Sequence, residues 1–175
     1  AAGGKGRDAV RGAAGGGGTE REDRLGFVAG TESHEGYLAR GMERGYAGLA
    51  CVRAAERYRA AVWRALERRA TYATSGVPIV CDFAVDGTRF GGETTVAPGE
   101  DPAIRADLHG TAPIERVEVI SAGDNVWAAT PGALDVSIRE PLPAPDSGET
   151  YYYLRLRQAD GHRAWLSPVW VEVDG

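Results

Sequence analysis

From Ile79 onward the chain is written as short β-prone runs broken by turn formers, and that cadence limits the fold more than any other feature. The runs are Ile79 to Val85, Thr94 to Val96, Ile104 to Leu108, Ile114 to Ile120, Val126 to Ala129, Leu134 to Ile138, Tyr151 to Arg157 and Ala164 to Val173. Between them lie Asp86-Gly87, Pro98-Gly99, Gly123-Asp124-Asn125, Pro131-Gly132, Asp146-Ser147-Gly148 and Asp160-Gly161, residue types that reach the backbone angles of tight turns. About seven or eight strands at this spacing predict a β-sandwich. Val117 and Val119 alternate with Arg116 and Glu118, and Leu154 and Leu156 with Arg155 and Arg157, as strands with one buried face require.

The chain ahead of Ile79 has a different texture. Ala55, Tyr58, Val62, Ala65 and Leu66 recur at helical spacing, which predicts a helix from Ala54 to Arg69. No Ser, Thr, Asp or Asn stands just before Glu56 to cap its start, and Pro78 bars its continuation beyond Thr71-Tyr72-Ala73-Thr74-Ser75-Gly76. Leu25 to Gly30 is a glycine-bounded apolar run that suits a buried strand, and residues 36–48, rich in glycine, read as a long loop. The Gly-rich and then charged residues 1–24 cannot bury enough apolar surface to offset their ordering entropy. Three parts follow: a flexible segment 1–24, a mixed strand, loop and helix region 25–76, and an all-β domain 77–175 with an immunoglobulin-like sandwich architecture.

A net charge of -5 gives no basic field of the kind that drives nucleic-acid binding. No apolar run approaches the roughly 20 residues of a membrane span, and no secretory signal pattern stands at the N-terminus, so cytoplasmic and exported locations both stay open. The first residue is Ala, which fits a fragment or a processed chain. Cys51 and Cys81 each sit in an apolar stretch without metal-ligand spacing and read as free buried thiols, a disulfide between them being the alternative.

Chemistry is concentrated in a few places. Glu32 and His34 follow the Leu25 to Gly30 run, where a carboxylate and an imidazole one residue apart can point into one pocket and hold a divalent metal. The competing reading is a solvated loop. Arg68 and Arg69 end the helix, where they complement its dipole, or else join Thr71 and Thr74 in holding an anionic substrate. His109 and His162 fall in the β region and read as structural and solvent-facing respectively. Tyr151-Tyr152-Tyr153 with Trp127, Trp165 and Trp170 could stack against sugars, although strand alternation favours core packing for them.

Leu25-Gly26-Phe27-Val28-Ala29-Gly30-Thr31-Glu32-Ser33-His34-Glu35-Gly36 resembles the late G-S-D-S-H metal-binding segment of the PHP (polymerase and histidinol phosphatase) superfamily. Gly48-Leu49-Ala50, Val62-Trp63-Arg64-Ala65-Leu66-Glu67-Arg68-Arg69 and Thr71 to Gly76 resemble segments of a PHP-related domain-of-unknown-function family. Pro113 to Glu118, Tyr151 to Arg155, Gln158 to Gly161 and Ala164 to Trp170 look like its closing strands. The resemblance implies an α+β chain: the C-terminal remnant of a PHP-type α/β barrel, comprising a strand, a loop and a helix, followed by the sandwich. It also implies zinc, manganese or iron ions that activate water against a phosphoester. Glu32 would take the place of the motif's Asp and His34 that of its His. Glu is longer by a C–C bond of about 1.5 Å, a large change where ligand distances hold within about 0.2 Å. The remaining ligands, including an early H-x-H pair, would lie upstream in a barrel portion that this chain would need as its partner. Two functions result: part of a metal-dependent hydrolase, incomplete as a catalyst alone and acting on an anionic small molecule, or a non-catalytic β-sandwich that binds carbohydrate or protein and carries a vestigial metal motif.

Overall fold

Residues 24–30, 48–143, 145 and 148–174 are described by the computed structural model. In chain order they form β1 (Leu49–Val52), α1 (Arg59–Glu67), β2 (Thr71–Thr74), β3 (Val80–Val85), β4 (Thr88–Arg89), β5 (Glu93–Val96), β6 (Ala103–Ser121), β7 (Asp124–Ala129), β8 (Ala133–Pro141), β9 (Glu149–Gln158), β10 (Arg163–Leu166) and β11 (Val169–Val173). The strands make a single curled sheet of 11, in the order β1-β2-β10-β9-β6-β3-β4, with β7 and β8 on β6 and β5 joined through β11.

Two strands serve two sets of neighbours. The first half of the 19-residue β6 lies between β3 and β8, and its second half between β9 and β7. The change of partner falls between His109 and Ile114, where the register slips. Gln158 is fully buried beneath that slip; its Oε1 accepts from the Thr111 backbone N–H at 2.8 Å, and its Nε2 donates to Thr111 Oγ1 at 3.0 Å. A side chain thus satisfies backbone that the ladder has released. Along β9, β10 pairs with Arg155 to Arg157, and β11 takes over from Glu149 to Tyr152. The handover lies at Ser167-Pro168, where proline interrupts the ladder. Only β11 with β5 is a parallel pair. The β3–β4 turn places Asp86 and Gly87 at φ 45° and 76°, the two left-handed residues of a type I′ hairpin.

The inner faces enclose one core around Phe83, Ile104, Leu108, Ile114, Val117, Leu154, Leu166 and Val171, all at most 2% exposed. By the area-and-cavity rule, truncating Phe83 to Ala would cost about 3–5 kcal/mol.

The expectation of an α+β chain that begins with a barrel remnant is overturned, because the regular structure of the described part is strand throughout, apart from one nine-residue helix. The run at Leu25 to Gly30 is not a strand; Leu25 and Val28 are 73% and 61% exposed. Thr71 to Thr74, expected to lead out of a helix, form a fully buried strand paired with β1 on one side and β10 on the other. The helix exists but is short. It starts at an N-cap, Tyr58, that makes no side-chain capping bond, and ends where Arg69 takes φ 56°. Ala61 and Ala65 face inward, while Trp63 and Leu66 are 62% and 40% exposed.

Candidate functional site

The clearest cluster of polar and aromatic groups outside the core is the place where residues 24–30 are strapped to the sheet. It is built at the β10–β11 break. Ser167 is fully buried, and its Oγ donates to the Thr71 carbonyl at 2.6 Å and accepts from the Phe27 backbone N–H at 2.8 Å. The Phe27 ring meets Tyr153 edge-on, with centroids 5.3 Å apart, and Tyr153 stacks on Tyr151 at 6.5 Å. Edge-on and offset rings align a positive ring edge or an offset face with the π-cloud.

Charge anchors the beginning of the strap. The Arg24 guanidinium pairs with Glu93 on β5 and donates to Glu149 on β9 at 2.6 Å, and these two carboxylates, Glu93 foremost, hold its protonation further up than usual. Arg69 donates to Glu93 at 2.9 Å and to the Gly91 carbonyl at 3.3 Å. Both guanidinium groups flank the ring of Trp170, at 4.9 Å for Arg69 and 5.9 Å for Arg24, within cation–π range. At Gly26 the strap passes so close that a Cβ there would stand 3.0 Å from Arg69 Cβ and Ser167 Oγ.

Glu32 and His34, the expected metal pair, lie outside the described residues. Among the described residues no group of three or more His, Cys, Asp or Glu side chains is placed to hold a metal. Arg68 returns its Nε to the Arg64 carbonyl at 3.2 Å, closing the helix end. Arg69 is committed to Glu93, Gly91 and Trp170. Thr71 is buried, with its Oγ1 3.2 Å from Ser167 Oγ, and Thr74 donates to the Val77 carbonyl at 2.8 Å. The structure therefore brings Arg69 and Thr71 together at the strap and leaves Arg68 and Thr74 apart from it.

His109 Nδ1 lies 2.7 Å from Asp135 Oδ1. His162 is half-buried, with Nδ1 3.0 Å from Ser75 Oγ, rather than facing solvent. Cys51 and Cys81 are both free thiols, Cys51 only partly buried, and burial pushes both upward in pKa. Of the aromatic residues, Tyr152, Tyr153 and Trp170 are packed, at 2%, 5% and 7% exposed, while Trp127, Tyr151 and Trp165 are half-buried. The three packed rings are not open to stack on a sugar. Sequence reasoning missed Arg24, Glu93, Glu149 and Ser167. The legible sign was Ser167-Pro168, a polar residue and a proline inside the run Ala164 to Val173.

Fold and site together define a β-sandwich-type module that binds a segment of its own chain on an aromatic and ionic seat. Residues 16–97 match the profile of a family described as "Protein of unknown function (DUF3604)". A protein of Chlamydia muridarum described as uncharacterised is 29% identical over 174 residues, covering 89% of this chain and 28% of its own length. A Chlamydia pneumoniae protein, likewise uncharacterised, is 29% identical over 183 residues, with 90% and 28% covered. The chain thus spans little more than a quarter of the curated relatives it matches.

Among solved structures, the fibronectin(III)-like modules of Clostridium thermocellum CbhA match at TM-score 0.38 and 21% identity, covering 53% of this chain and 98% of theirs. A Jonesia denitrificans lytic polysaccharide monooxygenase matches at TM-score 0.36 and 19% identity, covering 47% and 58%. These likenesses are too distant to carry an argument about fold or function.

Proposed function

We propose that this chain is a non-catalytic β-structured interaction module of a longer protein, with α1 and the strap as the face that packs on the rest of that protein. The observation behind this reading is the orientation of α1. A surface helix ordinarily turns its large apolar residues to the core. Here alanines are the helix's buried residues and Trp63 and Leu66 are turned outward, while the adjoining strap exposes Leu25 and Val28. Gly26 against Arg69 brings the strap's backbone beside the end of the helix that carries Trp63 and Leu66. Exposed apolar groups of this kind mark a contact surface. The occupant is the remainder of the longer protein, because the chlamydial relatives carry more than twice this length in addition to the matched part.

Tyr153 and Trp170 do not support the rival carbohydrate reading, since they are engaged by Phe27, Arg24 and Arg69. Divalent metal at Glu32 and His34 stays a separate proposal, one that needs ligands from outside the described residues.

Hydroxyl-radical footprinting tests the module reading. In the longer native product, oxidation of Trp63 and Leu66 should fall several-fold relative to residues 1–175 alone, whereas the exposed Leu134 on β8 should be oxidised equally in both. Equal labelling of Trp63 in the two samples would refute it.

A further inference from the structure

The outer face of the sheet formed by β4, β3, β6 and β8 carries a second feature, independent of the strap. Register places Arg89 beside Ala84, Ala84 beside Arg105, and Arg105 beside Arg139, so one transverse row across four strands reads Arg, Ala, Arg, Arg. Paired residues share a face, and the inward neighbours Val85, Ile104 and Ile138 confirm which one, being buried. The next row holds Asp82, Asp107 and Ser137.

Each acid already serves two cations. Asp82 accepts from Arg89 Nε at 3.1 Å and faces Arg53 Nε at 3.8 Å. Asp107 accepts from Arg105 at 2.8 Å and from Arg139 at 3.2 Å, and also from Ser137 Oγ at 2.8 Å. Four guanidinium groups therefore face two carboxylates. The next pair along the same face is His109 with Asp135, 2.7 Å apart, which brings a third carboxylate to this side of the sheet. Arg105 and Arg139 stand directly opposite one another, and Asp107 lies between their guanidinium groups. The Asp107 carboxyl is held down to about 2, first by the hydrogen bond from the Ser137 hydroxyl and then by Arg105 and Arg139.

Ala84 leaves a gap in the row. Around it lies a notch of about 160 Å³ walled by Arg89, Arg105, Asp82, Asp107 and Gly87. That is about five times the roughly 30 Å³ share of one water, ample for a four-oxygen anion. The Arg89 and Arg105 guanidinium groups on either side of Ala84 each keep N–H donors beyond those given to Asp82 and Asp107, and such an oxyanion would share them with these carboxylates.

We propose that the notch over Ala84 is a binding site for phosphate, either free or as the phosphomonoester group of a small molecule. Amide chemical shifts recorded during titration test this, with inorganic phosphate in one arm, glycerol phosphate in the other, and sodium chloride at matched ionic strength as reference. Saturable shifts at Ala84, Gly87 and Arg105 in either phosphate arm, absent with chloride, are expected. Equal affinity in the two arms identifies the free anion, and tighter binding of the ester identifies a phosphomonoester. R105Q should weaken binding about tenfold, the scale of one charge-assisted hydrogen bond. A84V, which fills the notch and keeps every charge, should weaken it comparably, while R157Q, at the distant Arg157–Glu115 pair, should not. Shifts that match those in chloride, or affinities unchanged in both R105Q and A84V, would overturn the proposal.

Discussion

The backbone N–H of Phe27 donates to Ser167 Oγ at 2.8 Å, joining positions 140 residues apart in the chain. The same oxygen reaches the Thr71 carbonyl, so one buried hydroxyl connects the strap, β2 and the bend between β10 and β11.

Ser167→Ala should cost about 1–3 kcal/mol, because it leaves the Phe27 N–H without its partner in a site water reaches poorly. Urea denaturation gives the loss. Proteolysis within residues 24–30 should accelerate in the same variant, and an unchanged cleavage rate would mean that the Arg24 and Phe27 side chains hold the strap unaided.

Asp107 makes stability sensitive to acid in a definite window. Its pKa is lowered from 3.8 to about 2, so the native state binds that proton less readily than the unfolded chain. Its contribution is fully present above pH 3.8 and declines as pH falls toward 2. Asp107→Asn should flatten the dependence of the unfolding midpoint on pH in that interval; an unaltered slope would assign the acid sensitivity to other carboxylates.

If Glu32 and His34 hold a divalent ion in a longer protein, His34→Ala should lower metal content measured on the purified product. His162→Ala should leave it intact, since His162 is hydrogen-bonded to Ser75. Equal metal loss in both variants would shift the site away from His34.

Much of the β architecture was legible because alternation and turn chemistry are local. Val80–Val85, Asp124–Ala129 and Glu149–Gln158 lie close to the runs read from Ile79, Val126 and Tyr151. Ile104 to Leu108 and Ile114 to Ile120 read as two strands, separated by His109 to Pro113, yet β6 passes through them. What carries it is Gln158, distant in sequence and fully buried, which accepts the Thr111 N–H.

β1 and β2 were missed for a related reason. Leu49–Val52 and Thr71–Thr74 are short, and a strand of four residues takes its identity from its partners. Apart from Ser167-Pro168, the strap was illegible, because Arg24 meets Glu93 and Glu149 only after the β5–β11–β9 layer has formed.

The placement of β2 against β10 bears on how the chain can be divided. Cutting after Gly76 would strip Ala164 to Leu166 of their β2 neighbour, leaving β10 paired with β9 alone and a raw sheet margin open to pairing with any other strand, the state from which edge-to-edge aggregation begins.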